Sequence, residues 1–306
     1  MTDTTDALAL APVKGSNFTR ELGRAGRSMV AAKWPLLALL ILLVVVFVAI
    51  FGPSIAPLDP NRQNIMMRLA APLDEGPNGA TFLMGSDGLG RDVFSRLLYG
   101  ARVSLLVGVS AILVGGTIGV TAGLASGYFG GWVDDVLGRL GDIQLAFPFI
   151  LLAIMFLVVL GPGLFNLILV LGIGQWVTYH RIVRAQTLSL REKEFVEAAR
   201  AMGDSTASII FRTILPNIIA PLTVIMSFNV ASVILAEASL SFLGLGVPPE
   251  VPTWGSMLAQ SRDQLLANKW WLAIFPGLAI VVTVLSFNIM GDWLRDFLDP
   301  RLKERG

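Results

Sequence analysis

The sequence predicts an all-α, polytopic membrane protein with about six transmembrane helices. Three observations carry that prediction. The 306-residue chain is 54% hydrophobic and only 15% charged, whereas soluble domains carry charge on about a quarter of their residues. Six stretches approach the roughly 20 apolar residues that a bilayer core demands of a helix: 34–52, 103–127, 143–160, 164–180, 217–240 and 271–293. Lys and Arg are also distributed unevenly between the loops. With the N-terminus in the cytoplasm, the inner segments 1–33, 128–142, 181–216 and 294–306 hold 16 of the 23 basic residues, and the outer segments hold 7. Basic loops stay on the cytoplasmic side, so both termini are expected there, in a multi-pass protein of the cell (inner) membrane.

Composition excludes several chemistries. The chain has no cysteine, which removes disulfides, thiol catalysis and iron–sulfur ligation. A formal net charge of +1 points to no nucleic-acid partner.

Taken in order, residues 1–33 form a polar cytoplasmic segment. The apolar run from Trp34 to Gly52 is of spanning length and lacks a small-residue cleavage site, so it reads as a first span rather than a signal peptide. Residues 34–306 then form one transmembrane domain. Its outer loop, 53–102, is rich in Pro, Asp, Asn and Gly up to Gly90 and continues as an amphipathic helix into the second span. This is too long for a simple connector and predicts a small extracytoplasmic cap. Within it, Gly85-Ser86-Asp87-Gly88-Leu89-Gly90 has the look of a phosphate loop. A nucleotide site needs a strand before it and a βαβ unit around it, and these flanks favour a turn that caps the helix instead.

Gly161-Pro162-Gly163 is a sharp turn between the third and fourth spans. His180, the one histidine, ends the fourth span beside Tyr179 and Arg181. It has neither a nucleophile motif nor enough companion ligands for a metal site, and is expected to anchor the helix at the interface.

The cytoplasmic segment 190–216 follows. Phe195, Ala199 and Met202 recur at i, i+4 and i+7, an apolar stripe on one helix face. Gly203 suits the position just past a helix end, and Asp204 or Ser205 suits the next N-cap. Ile210 and Ile214 share a face of a second helix, which Pro216 closes while opening the fifth span. The expectation is helix, glycine elbow, helix, with an apolar side and a charged rim.

The fifth span contains Glu237. From Pro216 to Glu237 is 21 residues, roughly 30 Å of helix, so the carboxylate lies near the outer end. Charges in membranes are usually functional. Two roles stand: a group on the translocation pathway, or a structural carboxylate bonded to the loop above it. The outer segment 241–270, with Gly244, Gly246, Pro248, Pro249 and Pro252, reads as an ordered loop. Trp254, Trp270 and Trp271 suit the membrane interface. Pro276 is tolerable near the start of the sixth span, and Asp292 ends that span on the cytoplasmic side.

Glu197-Ala198-Ala199, then Gly203, then Leu215-Pro216 resembles the EAA loop of ABC importer permeases. One position departs: that pattern favours Ile two residues before Leu-Pro, where this chain has Thr213 with Ile214 beside it. The stretches MGSDGLGRDVFSRLLYGARVSL (84–105), FPFILLAI (147–154), EASLSFLGLGVPPEVPTWGSML (237–258) and NIMGDWLRDFLDPRL (288–302) are similar to the dipeptide/oligopeptide/nickel permease family, specifically its second permease subunit. Residues 1–33 lie outside these motifs.

The resemblance implies a type I importer architecture with a homologous second permease. It also implies two cytoplasmic ATPase subunits, which bind ATP and Mg, and an extracytoplasmic solute-binding protein. Membrane lipid surrounds the assembly, and the cargo is a di- or oligopeptide, with nickel, glutathione or another small solute as alternatives. It makes Glu197, Ala198, Ala199, Gly203, Leu215 and Pro216 the ATPase-coupling residues, and Asp87, Arg91 and Asp92 candidates for contact with the binding protein. No cofactor, metal or catalytic residue is expected in this chain. The residues agree on one point: there is no G-x-x-x-x-G-K-[ST] loop, so energy has to enter from elsewhere. Two rival classes fit less well. An intramembrane protease needs a Ser–His pair or two aspartates inside spans, and the span interiors offer neither. A channel explains the spans but not a charged docking helix.

Overall fold

The computed structural model describes residue 29 and residues 32–76 and 81–298. Most of the expected segment 1–33 and the chain after Leu298 therefore lie outside the described residues. The fold is a helical bundle: α1 (Trp34–Ile55), α2 (Val93–Phe129), α3 (Gly131–Leu145), α4 (Phe149–Leu160), α5 (Leu164–Arg191), α6 (Glu194–Ala201), α7 (Thr206–Phe242), α8 (Trp254–Leu265) and α9 (Trp271–Leu298). The outer cap adds a 3₁₀ turn, Ile65–Met67, and a two-stranded antiparallel ribbon, Asp74–Glu75 with Thr81–Phe82.

By length and composition α1, α2, α7 and α9 can each cross a membrane, and α3 with α4 makes a fifth candidate bent by 88°. The expected third span, 143–160, is thus not one straight helix. Pro148 pins its own φ and pushes the residue before it out of the helical region, so the chain turns between Leu145 and Phe149. The twelve residues of α4 reach only about 18 Å. The expected fourth span lies within α5, which has 28 residues but is too polar to stand among the candidates on composition. Gln175, His180, Arg181 and Arg184 account for that. α5 packs along the length of α2, which takes His180 into the core and leaves Arg181 exposed.

The pairing of α2 with α5 organises the core. Gly115, Gly119, Gly123 and Gly127 recur every four residues along one face of α2. Each sits directly against α5. A Cβ on Gly115 would stand 2.5 Å from the Gly172 carbonyl oxygen, one on Gly123 2.7 Å from Val183 Cβ, and one on Gly127 2.6 Å from Thr187 Cβ. Small residues let membrane helices approach backbone to backbone, where dispersion and weak contacts replace the missing hydrophobic drive. α7 closes the other side of this pair, contributing Ile218, Val230, Val233 and Ile234 to the same core. α1 packs across α2 and α9.

The outer segment 241–270 is more than a loop, since it carries α8, capped by a reciprocal Thr253–Ser256 box. Two of the three expected interface tryptophans are buried anchors. Trp254 donates from its indole to the Leu97 carbonyl and Trp271 to that of Ser86. Only Trp270 is substantially exposed. Their rings are used to seal the cap onto the bundle, because each N–H finds a backbone acceptor there.

Candidate coupling surface

The charged segment 190–216 folds as the expected helix, elbow and helix, with differences in detail. Glu194 and Glu197 lie in the first turn of α6 and Arg200 in its last, each favourable to the helix dipole. Gly203 has φ +85°. The Asp204 N–H donates to the Ala199 carbonyl and the Gly203 N–H to that of Arg200, a Schellman closure that needs a left-handed residue at this place. Ser205, rather than Asp204, is the N-cap of α7, its side chain accepting from the Ser208 N–H at 3.2 Å.

The expected stripe of Phe195, Ala199 and Met202 is divided. Ala199 is buried beside Val196, while Phe195 is 44% and Met202 79% exposed. The face turned to the bundle is therefore Val196 and Ala199, joined by Ile209, Ile210 and Ile214 from α7. Phe195, Met202 and Phe211 form an outward apolar set. Glu197, Ala198, Gly203 and Pro216 are exposed, and Leu215 is half-buried.

Pro216 does not close the helix. α7 runs on from Thr206 to Phe242, and residues Ile209–Ile214 form a π-helical stretch just before the proline, with the Leu215 N–H reaching Ile210 O. Proline has no N–H to donate and crowds the carbonyl four residues back. Widening the preceding turn absorbs that defect without a break. Thr213 lies in this stretch, its carbonyl accepting from Asn217 Nδ2 at 2.7 Å.

Two arginines tie the segment to the C-terminal end of α2. Arg191 Nη1 donates to the Gly127 carbonyl at 3.1 Å, and the Arg200 guanidinium sits 5.7 Å from the centre of the Tyr128 ring. α6 is thus joined to α5, which runs into it through Glu192 and Lys193, and, through Arg200, to the end of α2.

The other sequence-selected residues lie apart from this surface. Asp87, Arg91 and Asp92 are buried in the outer cap. Asp87 accepts from the backbone N–H groups of Leu89 and Arg91 and pairs with Arg91 Nε at 2.7 Å. Arg91 continues to Gln260 Oε1 at 2.7 Å and the Pro249 carbonyl at 3.3 Å. Asp92 caps α2 by accepting from the Ser95 N–H and hydroxyl. Of these three buried side chains, Arg91 is the one that joins the cap to the 241–270 segment, while Asp87 holds Arg91 and Asp92 caps α2. Sequence reasoning missed Arg96 and Gln260, which complete the network. Arg96 is fully buried and reaches the carbonyls of Pro60 and Pro249. Periodicity gives no signal for contacts more than 150 residues apart.

Glu237 is 1% exposed near the outer end of α7. Its Oε1 accepts from the Ser241 hydroxyl at 2.7 Å, one turn on, and Oε2 has no partner among the described residues. His180 is also buried, its ring tilted against that of Trp176 with centres 5.5 Å apart, and backed by the glycines of α2. The expected anchor is thus held inside the bundle, because the glycine face draws this part of α5 against α2. Beside it Asp134 of α3 is held by Ser126 and by both nitrogens of an Arg184 fork, which fastens the bent α3 to the α2–α5 pair. Among the described residues no cluster of three or more His, Cys, Asp or Glu is arranged to hold a metal.

Comparison with known proteins gives a consistent result. Residues 119–304 match the family described as binding-protein-dependent transport system inner membrane component. Residues 22–72 match the N-terminal transmembrane domain of oligopeptide transport permease C, so the likeness begins inside the segment 1–33 that the motifs leave out. A di/tripeptide transport system permease protein of Pseudomonas aeruginosa is 43% identical over 265 residues, 87% of each chain. A glutathione transport system permease protein of Pectobacterium atrosepticum is 42% identical over 86% of each. A dipeptide transport system permease protein of Alkalihalophilus pseudofirmus is 42% identical over 89% of this chain and 87% of its own. Among solved structures, an inward-facing form of the MetNI methionine ABC transporter matches with a TM-score of 0.53 at 20% identity, over 67% of this chain and 97% of that one. At that identity the likeness speaks to fold.

Proposed function

Because the chain belongs to the family of inner-membrane components of binding-protein-dependent transport systems, we propose that it is a multi-pass permease subunit of an ATP-driven importer of di- and oligopeptides. The relatives named for di- and tripeptide transport support peptide as cargo. The glutathione permease relative keeps glutathione, itself a small peptide, as a second reading. The chain supplies the membrane path and takes no part in ATP chemistry. Two cytoplasmic ATPase subunits hydrolyse ATP with Mg, a homologous second permease completes the pathway, and a solute-binding protein delivers cargo from outside.

The observation that carries this reading is the coupling surface. Its inner face is buried against the bundle, and its outer face offers Phe195, Met202 and Phe211 beside exposed Glu197. This is an apolar patch with a charged rim, suited to a protein groove. An ATPase that closes on ATP would push α6. Arg191 and Arg200 would pass the displacement to α2, and the glycine contacts would make α2 and α5 move together. α7 begins immediately after the elbow, so the same push would act on the helix that carries Glu237.

The test is uncoupling. Gly203→Val places a side chain at positive φ, at a cost of about 1–2 kcal/mol, and misdirects the start of α7. Glu197→Lys reverses the rim charge. In reconstituted complex both should insert normally yet lose uptake per ATP hydrolysed. Wild-type uptake per ATP in both would refute the coupling role.

A further inference from the structure

A slot of about 650 Å³ opens between α5, α7 and α9, at the end of the bundle that the basic-residue asymmetry assigns to the cytoplasm. Its polarity is graded. Gln186 of α5, Asn217 of α7 and Arg295 of α9 line it, and each lies in the part of its helix that the basic-residue asymmetry assigns to the cytoplasm. Deeper in, the wall is Pro221, Val224, Ile225 and Phe228 of α7. From Asn217 to Phe228 is eleven residues, about 16 Å along a helix. The slot is therefore one cation and two amides at the level of the headgroups, above an apolar wall about one leaflet deep.

Arg295 makes no ion pair with any described residue, although Asp292 and Asp296 flank it on α9. It lies in the last turn of its helix, where a cation favours the dipole. That accounts for a basic residue there but not for the apolar slot beneath it. Pro221, inside α7, forms part of the apolar wall.

We propose that this slot binds one anionic phospholipid of the cytoplasmic leaflet, its phosphate on Arg295 and Gln186 and one acyl chain along Pro221, Val224 and Phe228. A basic pocket between membrane helices on the cytoplasmic side suits an anionic headgroup, and the depth matches an acyl chain rather than a free phosphate. By filling the slot the lipid wedges α7 against α9 at the level where α7 receives its push, so its occupancy stabilises that contact.

The probe is phosphatidylglycerol, with phosphatidylcholine as the uncharged-headgroup comparison. The purified complex in detergent is titrated with each, and bound lipid is read by native mass spectrometry. Arg295→Gln should weaken phosphatidylglycerol retention about fivefold, the worth of one basic residue at an anionic surface. Ala220→Trp, which places an indole at the rim of the slot, should abolish it while leaving the complex assembled. Arg262→Gln, in α8 on the outer side, should change nothing. A photo-reactive group at position 224, attached through an introduced cysteine, should cross-link to lipid. Equal retention of the two lipids, retention unaffected by both Arg295→Gln and Ala220→Trp, or cross-linking of position 224 to the second permease instead of lipid would each overturn the proposal.

Discussion

Gly119→Ala tests whether the approach of α2 to α5 sets the stability of the bundle. A Cβ at residue 119 would stand 2.5 Å from Tyr179 Cβ and 3.0 Å from His180 N, and would overlap the Trp176 carbonyl oxygen. Carbon pairs settle at about 3.5–4.0 Å, so the shortfall is at least about 1 Å. None of the obstructing atoms is the free end of a side chain, so no rotamer change relieves the clash and α5 has to back away. A gap of about 0.5–1 Å forfeits a quarter to a half of each dispersion contact along the seam. Overpacking of this kind costs about 1–3 kcal/mol, offset by about 0.5–1 kcal/mol from replacing a mid-helix glycine with alanine. The expected net effect is a loss of roughly 1–2 kcal/mol. Adding Gly123→Ala should cost less than a second full increment, because one separation relieves both clashes. Gly138→Ala is the control. Its Cβ meets nothing within 4 Å, so only the helix-propensity gain remains and α3 should become slightly more stable. The assay is thermal unfolding of the assembled complex in nanodiscs, followed by tryptophan fluorescence. Gly119→Ala melting at or above wild type would refute the argument, and so would equal damage from Gly138→Ala, which would show a general intolerance of alanine.

Three further outcomes follow from the geometry. Arg91→Ala removes the closer of the two cations on buried Asp87 and leaves Arg96 at 3.8 Å, so the cost should fall below the about 3–5 kcal/mol of a fully broken buried pair; the cap should become more sensitive to protease added outside, and unchanged protection would show that the Arg91 contacts are dispensable. Glu237→Gln keeps an acceptor oxygen for Ser241 and should preserve both complex yield and uptake, whereas Glu237→Ala loses the bond and the packing and should lower yield; lost uptake at normal yield in the Gln variant would place Glu237 on the solute path instead. Single cysteines at positions 75 and 205, in a chain with no native cysteine, should show outside labelling of 75 and none of 205 by a membrane-impermeant reagent on intact cells, and the opposite pattern would invert the topology.

The elements legible in the sequence were those whose cause is local. The apolar runs of α1, α2, α7 and α9 are set by the solvent they meet, and lipid leaves a signal within about 20 consecutive residues. The Gly203 elbow was legible because a Schellman closure needs a residue with no Cβ penalty within two positions of the helix end, and the serine beside it reads as a cap for the same local reason. The motifs around the coupling segment and in the outer cap carried the family.

What the tertiary structure decided is wherever a partner distant in sequence chose between local options. Pro148 marks a boundary in the sequence, but only packing of the elbow, with Phe149 against Gly174, makes it an 88° bend. Pro216 reads as a stop, yet the buried isoleucines on the turn before it hold the helix together through a π stretch. Phe195 and Ala199 have equal standing on a helical wheel, and the bundle takes Ala199 and Val196 because the start of α7 brings Ile209, Ile210 and Ile214 into the same buried cluster. Asp87 and Arg91 look like surface charges until Pro249 and Gln260 arrive from the far end of the chain. The glycine stripe from 115 to 127 was written in the sequence as a spacing of four, but its meaning needed α5, because a missing Cβ acts only through what comes close enough to use the space.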